Sequence, residues 1–177
     1  KTNLKVFFIT HNYPKTFQYL TGVKCGILNA ERENPNAKVF QTSVRQQTNR
    51  MIDENGFYEI LLLDNSGRIT EGSRSNVFFV KENKIITPPS NAVLLGITRQ
   101  KTIKCAEKIG IPVFEKDIYF ENLSDFDAAF ITGTSPKILP LQKVDGISFD
   151  PKNKVVQNLI GAYNLMVKEY IKNRLSQ

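Results

Sequence analysis

Histidine occurs once in the 177 residues, cysteine and methionine twice each, and tryptophan not at all. A single histidine, His11, excludes a histidine-rich metal site and any repertoire built on several histidine bases. It sits in a polar segment between Thr10 and Pro14, the setting of a surface histidine. Cys25 and Cys105 lack Cys-x-x-Cys spacing, so they read as reduced core thiols of a cytoplasmic protein rather than as a disulfide. No apolar run approaches the ~18 residues that would suggest a membrane helix, and neither a signal-peptide pattern nor a low-complexity tract is visible. The first residue is Lys rather than Met, which points to a domain or a processed piece of a longer product.

What is present is the composition of an ordinary globular domain, 41% hydrophobic and 23% charged, long enough to bury a core. The net charge is +7 and the pI is near 9.4, a balance that raises the question of nucleic acid or another anionic partner. The basic residues are spread along the chain, with a mild cluster only at Lys168, Lys172 and Arg174, and aromatic residues do not interleave with them. A solvated basic surface is the better reading, and no nucleic-acid or membrane partner is expected.

Local patterns divide the chain into strands and helices without regular alternation. Leu4–Thr10 is short, apolar and β-branched, a strand buried on both faces, followed by loop chemistry from His11 to Gly22. Val23–Asn29 alternates as a second strand, and residues 31–37 form a loop. Phe40, Val44, Met51 and Ile52 lie on one helical stripe that Gly56 ends. Strands are expected at Phe57–Leu63, Arg68–Thr70, Asn76–Val80, Lys84–Ile86, Pro112–Phe114, Ala128–Thr132, Ile138–Leu141 and Ile147–Ser148. A helix from Ile97 buries Thr102, Cys105, Ala106 and Ile109 and stops at Gly110; Asn122–Phe126 is a helical turn. Asp150-Pro151 looks like an N-cap with proline at the first helical position. The final helix carries one apolar face, Val156, Leu159, Ile160, Tyr163, Met166, Val167, Tyr170 and Ile171, read as core packing. The expected class is α+β with a barrel-like mixed sheet and flanking helices.

Two turns could hold an anion. Gly96-Ile97-Thr98 lies where a loop enters a helix, presenting free N–H groups, the positive dipole end and a hydroxyl. Gly133-Thr134-Ser135 follows an apolar strand with similar small and hydroxyl residues. The stretch Thr70-Glu71-Gly72-Ser73-Arg74-Ser75-Asn76 could set a carboxylate in a cavity, or could be a surface hairpin turn.

Thr70-Glu71-Gly72-Ser73-x-Ser75-Asn76-x-Phe78 resembles the signature of class IV aminotransferases, fold-type IV enzymes dependent on pyridoxal 5'-phosphate (PLP). Leu95-Gly96-Ile97-Thr98-Arg99, then Thr132-Gly133-Thr134-Ser135-x-x-Ile138-x-Pro140 running on to Val144-Asp145-Gly146, follow in the family's order and cover residues 57 to 148. The family includes branched-chain and D-amino-acid aminotransferases and aminodeoxychorismate lyases. The resemblance implies amino-group transfer between an amino acid and a 2-oxo acid, with the lyase reaction on the same fold as the alternative and a non-enzymatic basic module or inactive fragment as a third reading. It implies that Lys38 carries PLP covalently and moves a proton between substrate Cα and cofactor C4′, a role needing the neutral amine that a desolvated site favours. Glu71 would pair with the pyridine nitrogen; Ile97 N–H, Thr98 and Thr134 would hold the phosphate. Ser75 and Ser135 are candidates near the cofactor or the substrate carboxylate, and Asn76 braces the loop. No role carries over to Arg74, and Arg32 and Arg45 do not match the arginine that the family's smaller domain sends to the phosphate. The resemblance further implies that residues 1–20 are the last strand and linker of that smaller N-terminal domain, that 21–177 are the PLP-binding domain, and that the full-length enzyme is a homodimer. This chain by itself is then expected to bind PLP weakly.

Overall fold

The structure, a computed structural model, describes residues 13–30 and 42–176; the expected strand Leu4–Thr10, His11, the 31–37 loop and Lys38 lie outside the described residues. Within them nine strands form one mixed sheet: β1 (Val23–Asn29), β2 (Glu59–Leu63), β3 (Ile69–Gly72), β4 (Asn76–Lys81), β5 (Lys84–Thr87), β6 (Val113–Glu115), β7 (Ala128–Gly133), β8 (Lys137–Val144) and β9 (Ile147–Ser148). The path runs β3-β2-β1-β8-β7-β4-β5-β6, with β9 beside β8. Strand β1 is parallel to both β2 and β8, and β5 is parallel to β6. The remaining pairs are antiparallel. Although β3 and β4 stand far apart on this path, a three-residue turn joins them, and Gly72 N–H donates to Ser75 C=O at 2.8 Å. The sheet therefore curls round until its first and sixth strands meet, the barrel-like form expected from the sequence.

Alternation along the strands sorts the core into two compartments. Val77 and Phe79, Ala129 and Ile131, and Leu139 and Leu141 join the inner cluster with Cys25 and Leu61. Their neighbours Phe78, Val80, Phe130 and Ile138 join Cys105, Ala106, Val156 and Leu159 in the outer cluster. The outer cluster packs the sheet against helices α3 (Ile97–Lys108) and α4 (Lys154–Leu175). Strands covered on both faces need apolar residues on both, which is why β4 and β7 read as continuous runs. Phe78 and Phe130 stack with centroids 5.0 Å apart, and truncating a ring this deeply buried costs about 3–5 kcal/mol. Both thiols are buried and free. Burial, aided by the nearby Glu59 charge, pushes the Cys25 thiol well up, which keeps it protonated and inert.

Helix α2 (Thr42–Asn55) ends as expected at Gly56, whose positive φ of 67° lets its N–H return to Ile52 C=O at 3.0 Å. Four expectations fail. Residues expected as loop contain α1 (Thr16–Thr21), started by Gln18, whose side chain accepts from Lys15 N–H while its own N–H donates to Lys15 C=O. The cap of α4 is Asn153, accepting from Val155 N–H at 3.0 Å, not Asp150. Asp150 instead closes the preceding turn by accepting from Lys152 N–H, and Pro151 C=O is taken by Gln157. The apolar stripe of α4 packs only as far as Val167; Tyr170 is 61% and Ile171 52% exposed. A 22-residue helix is about 33 Å long, whereas a six-residue strand spans about 20 Å. On α3 the buried face is Arg99, Thr102, Cys105 and Ala106, while Ile109 is the C-cap and 40% exposed.

Candidate active site

The turn from β3 to β4 carries the distinctive acidic motif, and the structure buries it. Glu71 is 3% exposed, and its Oε2 accepts from Leu94 N–H at 3.2 Å. Asn76, at the start of β4, donates from Nδ2 to Leu94 C=O at 2.8 Å. Leu94 is thus held at both its N–H and its C=O by residues flanking one turn. Two residues later, a Cβ built on Gly96 would lie 2.4 Å from Asn76 Oδ1, so only glycine lets the loop approach this closely. The surface-turn alternative for residues 70–76 is removed by this burial.

Gly96 is the N-cap of α3. It is extended (φ −60°, ψ 138°), no side chain caps the helix, and no acidic residue lies in the first turn, whereas Lys108 sits in the last. The first turn therefore presents the positive helix end without a cap from its own N-cap side chain, and the exposed Ile97 contributes its backbone there. Thr98 lies beside Tyr163 of α4: burial pushes the Tyr163 phenol up, and its hydrogen bond with Thr98 offsets part of that rise. The loop before α3 is anchored by Arg99, 2% exposed, which donates to Pro88 C=O at 3.0 Å and pairs with Glu115 at 3.1 Å. Glu115 in turn accepts from Ser90 N–H at 2.6 Å.

The turn between β7 and β8 comes to the same place. Asn76 pairs with Thr132 across β4 and β7, and a Cβ on Gly133 would stand 3.7 Å from Arg74 C=O. Tyr19 of α1 donates to Pro136 C=O at 3.1 Å, bracing the turn from outside. Thr134 is exposed and Ser135 half-buried. Thr132 Oγ1, one residue before the turn, is buried with no hydrogen-bond partner among the described residues.

Of the expected site residues, Glu71, Asn76 and the start of α3 are joined directly, with the Thr134–Ser135 turn alongside. Ser75 turns inward: it is buried, and its Oγ donates to Glu59 Oε2 at 2.9 Å. Lys38 lies outside the described residues, but α2, which follows it, docks on the same turn. Arg45 donates to Ser73 C=O at 3.3 Å, and Arg74 bonds Asn49. Sequence reasoning gave no role to Glu59, Leu94 or Arg99. The partners that tie them to the site lie 11 to 23 positions away, beyond any local pattern.

Comparison with known proteins finds relatives of this chain. The family model described as Amino-transferase class IV matches residues 1–144. A Rickettsia conorii protein named "Probable branched-chain-amino-acid aminotransferase" is 30% identical over 178 residues, covering 95% of this chain and 60% of its own. A Thermotoga maritima protein of the same name is 42% identical over 93 residues, covering 52% of this chain and 34% of its own. Among solved structures, the Escherichia coli branched-chain amino acid aminotransferase aligns with a TM-score of 0.70 at 30% identity, covering 78% of this chain and 50% of that one. The T.th. branched-chain amino acid aminotransferase complexed with N-(5'-phosphopyridoxyl)-L-glutamate aligns at 0.74 with 27% identity, covering 82% and 51%. The chain thus spans between a third and three fifths of the length of these curated relatives.

Proposed function

Because the chain belongs to the class IV amino-transferase family, we propose that it is the cofactor-holding part of a PLP-dependent branched-chain amino-acid aminotransferase. The joint between Glu71 and α3 carries the reading: a buried carboxylate bonded to Leu94 N–H, two residues ahead of a helix start with no side-chain cap. PLP makes two opposite demands, a carboxylate for its protonated pyridine nitrogen and an anion site for its phosphate, and this donor set fits both. The Thr132 hydroxyl, buried and without a hydrogen-bond partner among the described residues, is a further polar atom suited to a polar occupant. The branched-chain assignment, in place of a D-amino-acid or lyase reaction, is supported by the names of the relatives.

Each residue then has a task. Glu71 keeps a proton on the pyridine nitrogen. Ile97 N–H and the hydroxyls of Thr98 and Thr134 hold the phosphate, with Ser135 beside them. Lys38 anchors the cofactor and moves a proton between substrate Cα and C4′. Ser75 contributes through Glu59, to which its hydroxyl is already bonded. When bound, PLP supplies the electron sink for the pair left at Cα. The test is amino transfer from leucine, valine or isoleucine to 2-oxoglutarate by PLP-loaded protein, wild type against Glu71→Gln. Transfer that falls about a hundredfold or more in the variant, with unfolding unchanged, is expected. Equal turnover, or pyruvate release from an aminodeoxychorismate-like substrate without a 2-oxo acid acceptor, would end the reading.

A further inference from the structure

Glu59 opens β2 as a carboxylate only 3% exposed, and no lysine or arginine side chain pairs with it among the described residues. A charge buried in this way is costly unless its lone pairs are satisfied. Four donors satisfy them here. Oε1 accepts from Ile60 N–H at 2.9 Å and Ser73 Oγ at 2.6 Å. Oε2 accepts from Arg74 N–H at 3.2 Å and Ser75 Oγ at 2.9 Å. Three of these donors are consecutive residues of the turn between β3 and β4.

The turn is moulded round this group. A Cβ on Gly72 would meet Ser75 Oγ at 2.2 Å and Glu59 Cδ at 3.1 Å. The residues at the two ends of the turn, Glu71 and Asn76, are those that grip the N–H and C=O of Leu94. A displacement of the turn therefore reaches the carboxylate and the start of α3 together. We propose that Glu59 is a positioning residue: its carboxylate sets the Ser73–Ser75 turn and thereby aims Glu71 and Asn76 at Leu94. Glutamine in its place keeps the volume but replaces one acceptor oxygen by an NH₂ donor, facing donors on that side.

The functional part of this inference rests on the PLP reading above, so the test has one arm that needs no cofactor. In Glu59→Gln, hydrogen exchange at the Leu94 amide should quicken about tenfold or more, with amides of β7 unchanged. In the same variant PLP affinity, titrated by absorbance, should fall about tenfold, but less than twofold when Glu71→Gln is already present, because Glu59 acts through Glu71. If Glu59→Gln does not fold, Ser73→Ala/Ser75→Ala, which keeps the carboxylate and removes two of its donors, is read in the same way. Unchanged Leu94 exchange, or an equal loss of affinity in both backgrounds, overturns the positioning role. A wild-type protein that binds no PLP sinks the cofactor reading instead, and the exchange arm still decides whether Glu59 sets the turn.

Discussion

Replacing Gly96 by alanine should destabilise the fold through one contact. The backbone there (φ −60°, ψ 138°) is open to any residue, so no strain enters from the main chain. The added Cβ would instead fall 2.4 Å from Asn76 Oδ1, on a side chain that is 7% exposed and bonded to Leu94 C=O at 2.8 Å. Asn76 has to swing away, and that bond breaks. Leaving a buried amide or carbonyl unsatisfied costs about 1–3 kcal/mol. Gly→Ala returns about 0.4–1 kcal/mol by restricting the unfolded chain. A net loss of about 1–2 kcal/mol follows, and each kcal/mol lowers the midpoint of a domain this size by about 2–4 °C. Thermal unfolding followed by circular dichroism, run as a double-mutant cycle with Asn76→Ala, reads it. With Oδ1 gone, Gly96→Ala should be neutral or slightly stabilising. The same loss in both backgrounds, or none in the wild type, would refute the steric argument.

Borohydride treatment of the PLP-loaded protein followed by peptide mapping should find the cofactor fixed on Lys38, and a label on another lysine would end that assignment. A second expectation concerns acid. Burial raises the Glu115 carboxyl, but hydrogen bonds from Ser90 N–H and Arg99, with the Arg99 charge, outweigh it and hold the group below its ordinary range. A depressed folded value means stability that is present above the unfolded value and lost as pH falls through the folded one. Glu115→Gln should therefore differ in stability from wild type at neutral pH and converge with it below about pH 4. Stability curves that stay parallel into acid would show that the Arg99–Glu115 clamp contributes nothing.

The parts of the fold legible in advance were those written within a few residues. Strand β1 followed from the alternation of Val23, Cys25 and Ile27. The β4–β5 hairpin followed from Glu82-Asn83, which adopt φ values of 50° and 61°, a primed turn. The errors also had local causes. The six-residue helix α1 is opened by Gln18, whose side chain accepts from Lys15 N–H, too weak a signal to outweigh the loop residues around it. Asp150 and Asn153 are both good caps, and position in the assembled turn chose between them. In the site, the three motifs were readable in order, but Ser75 faces Glu59, an acceptor 16 positions away that no spacing rule would suggest.

Sequence by itself determined the elements, the apolar faces and the motif residues, because helix and strand periods, caps and turns depend on neighbours within a few positions. The tertiary structure alone decided that β3 and β4 close the sheet, that Glu71 is buried, and that Leu94, Asn76 and Gly96 interlock at the start of α3. Those contacts join groups from separate strands and loops, and their geometry exists only once two packed compartments hold the strands in register.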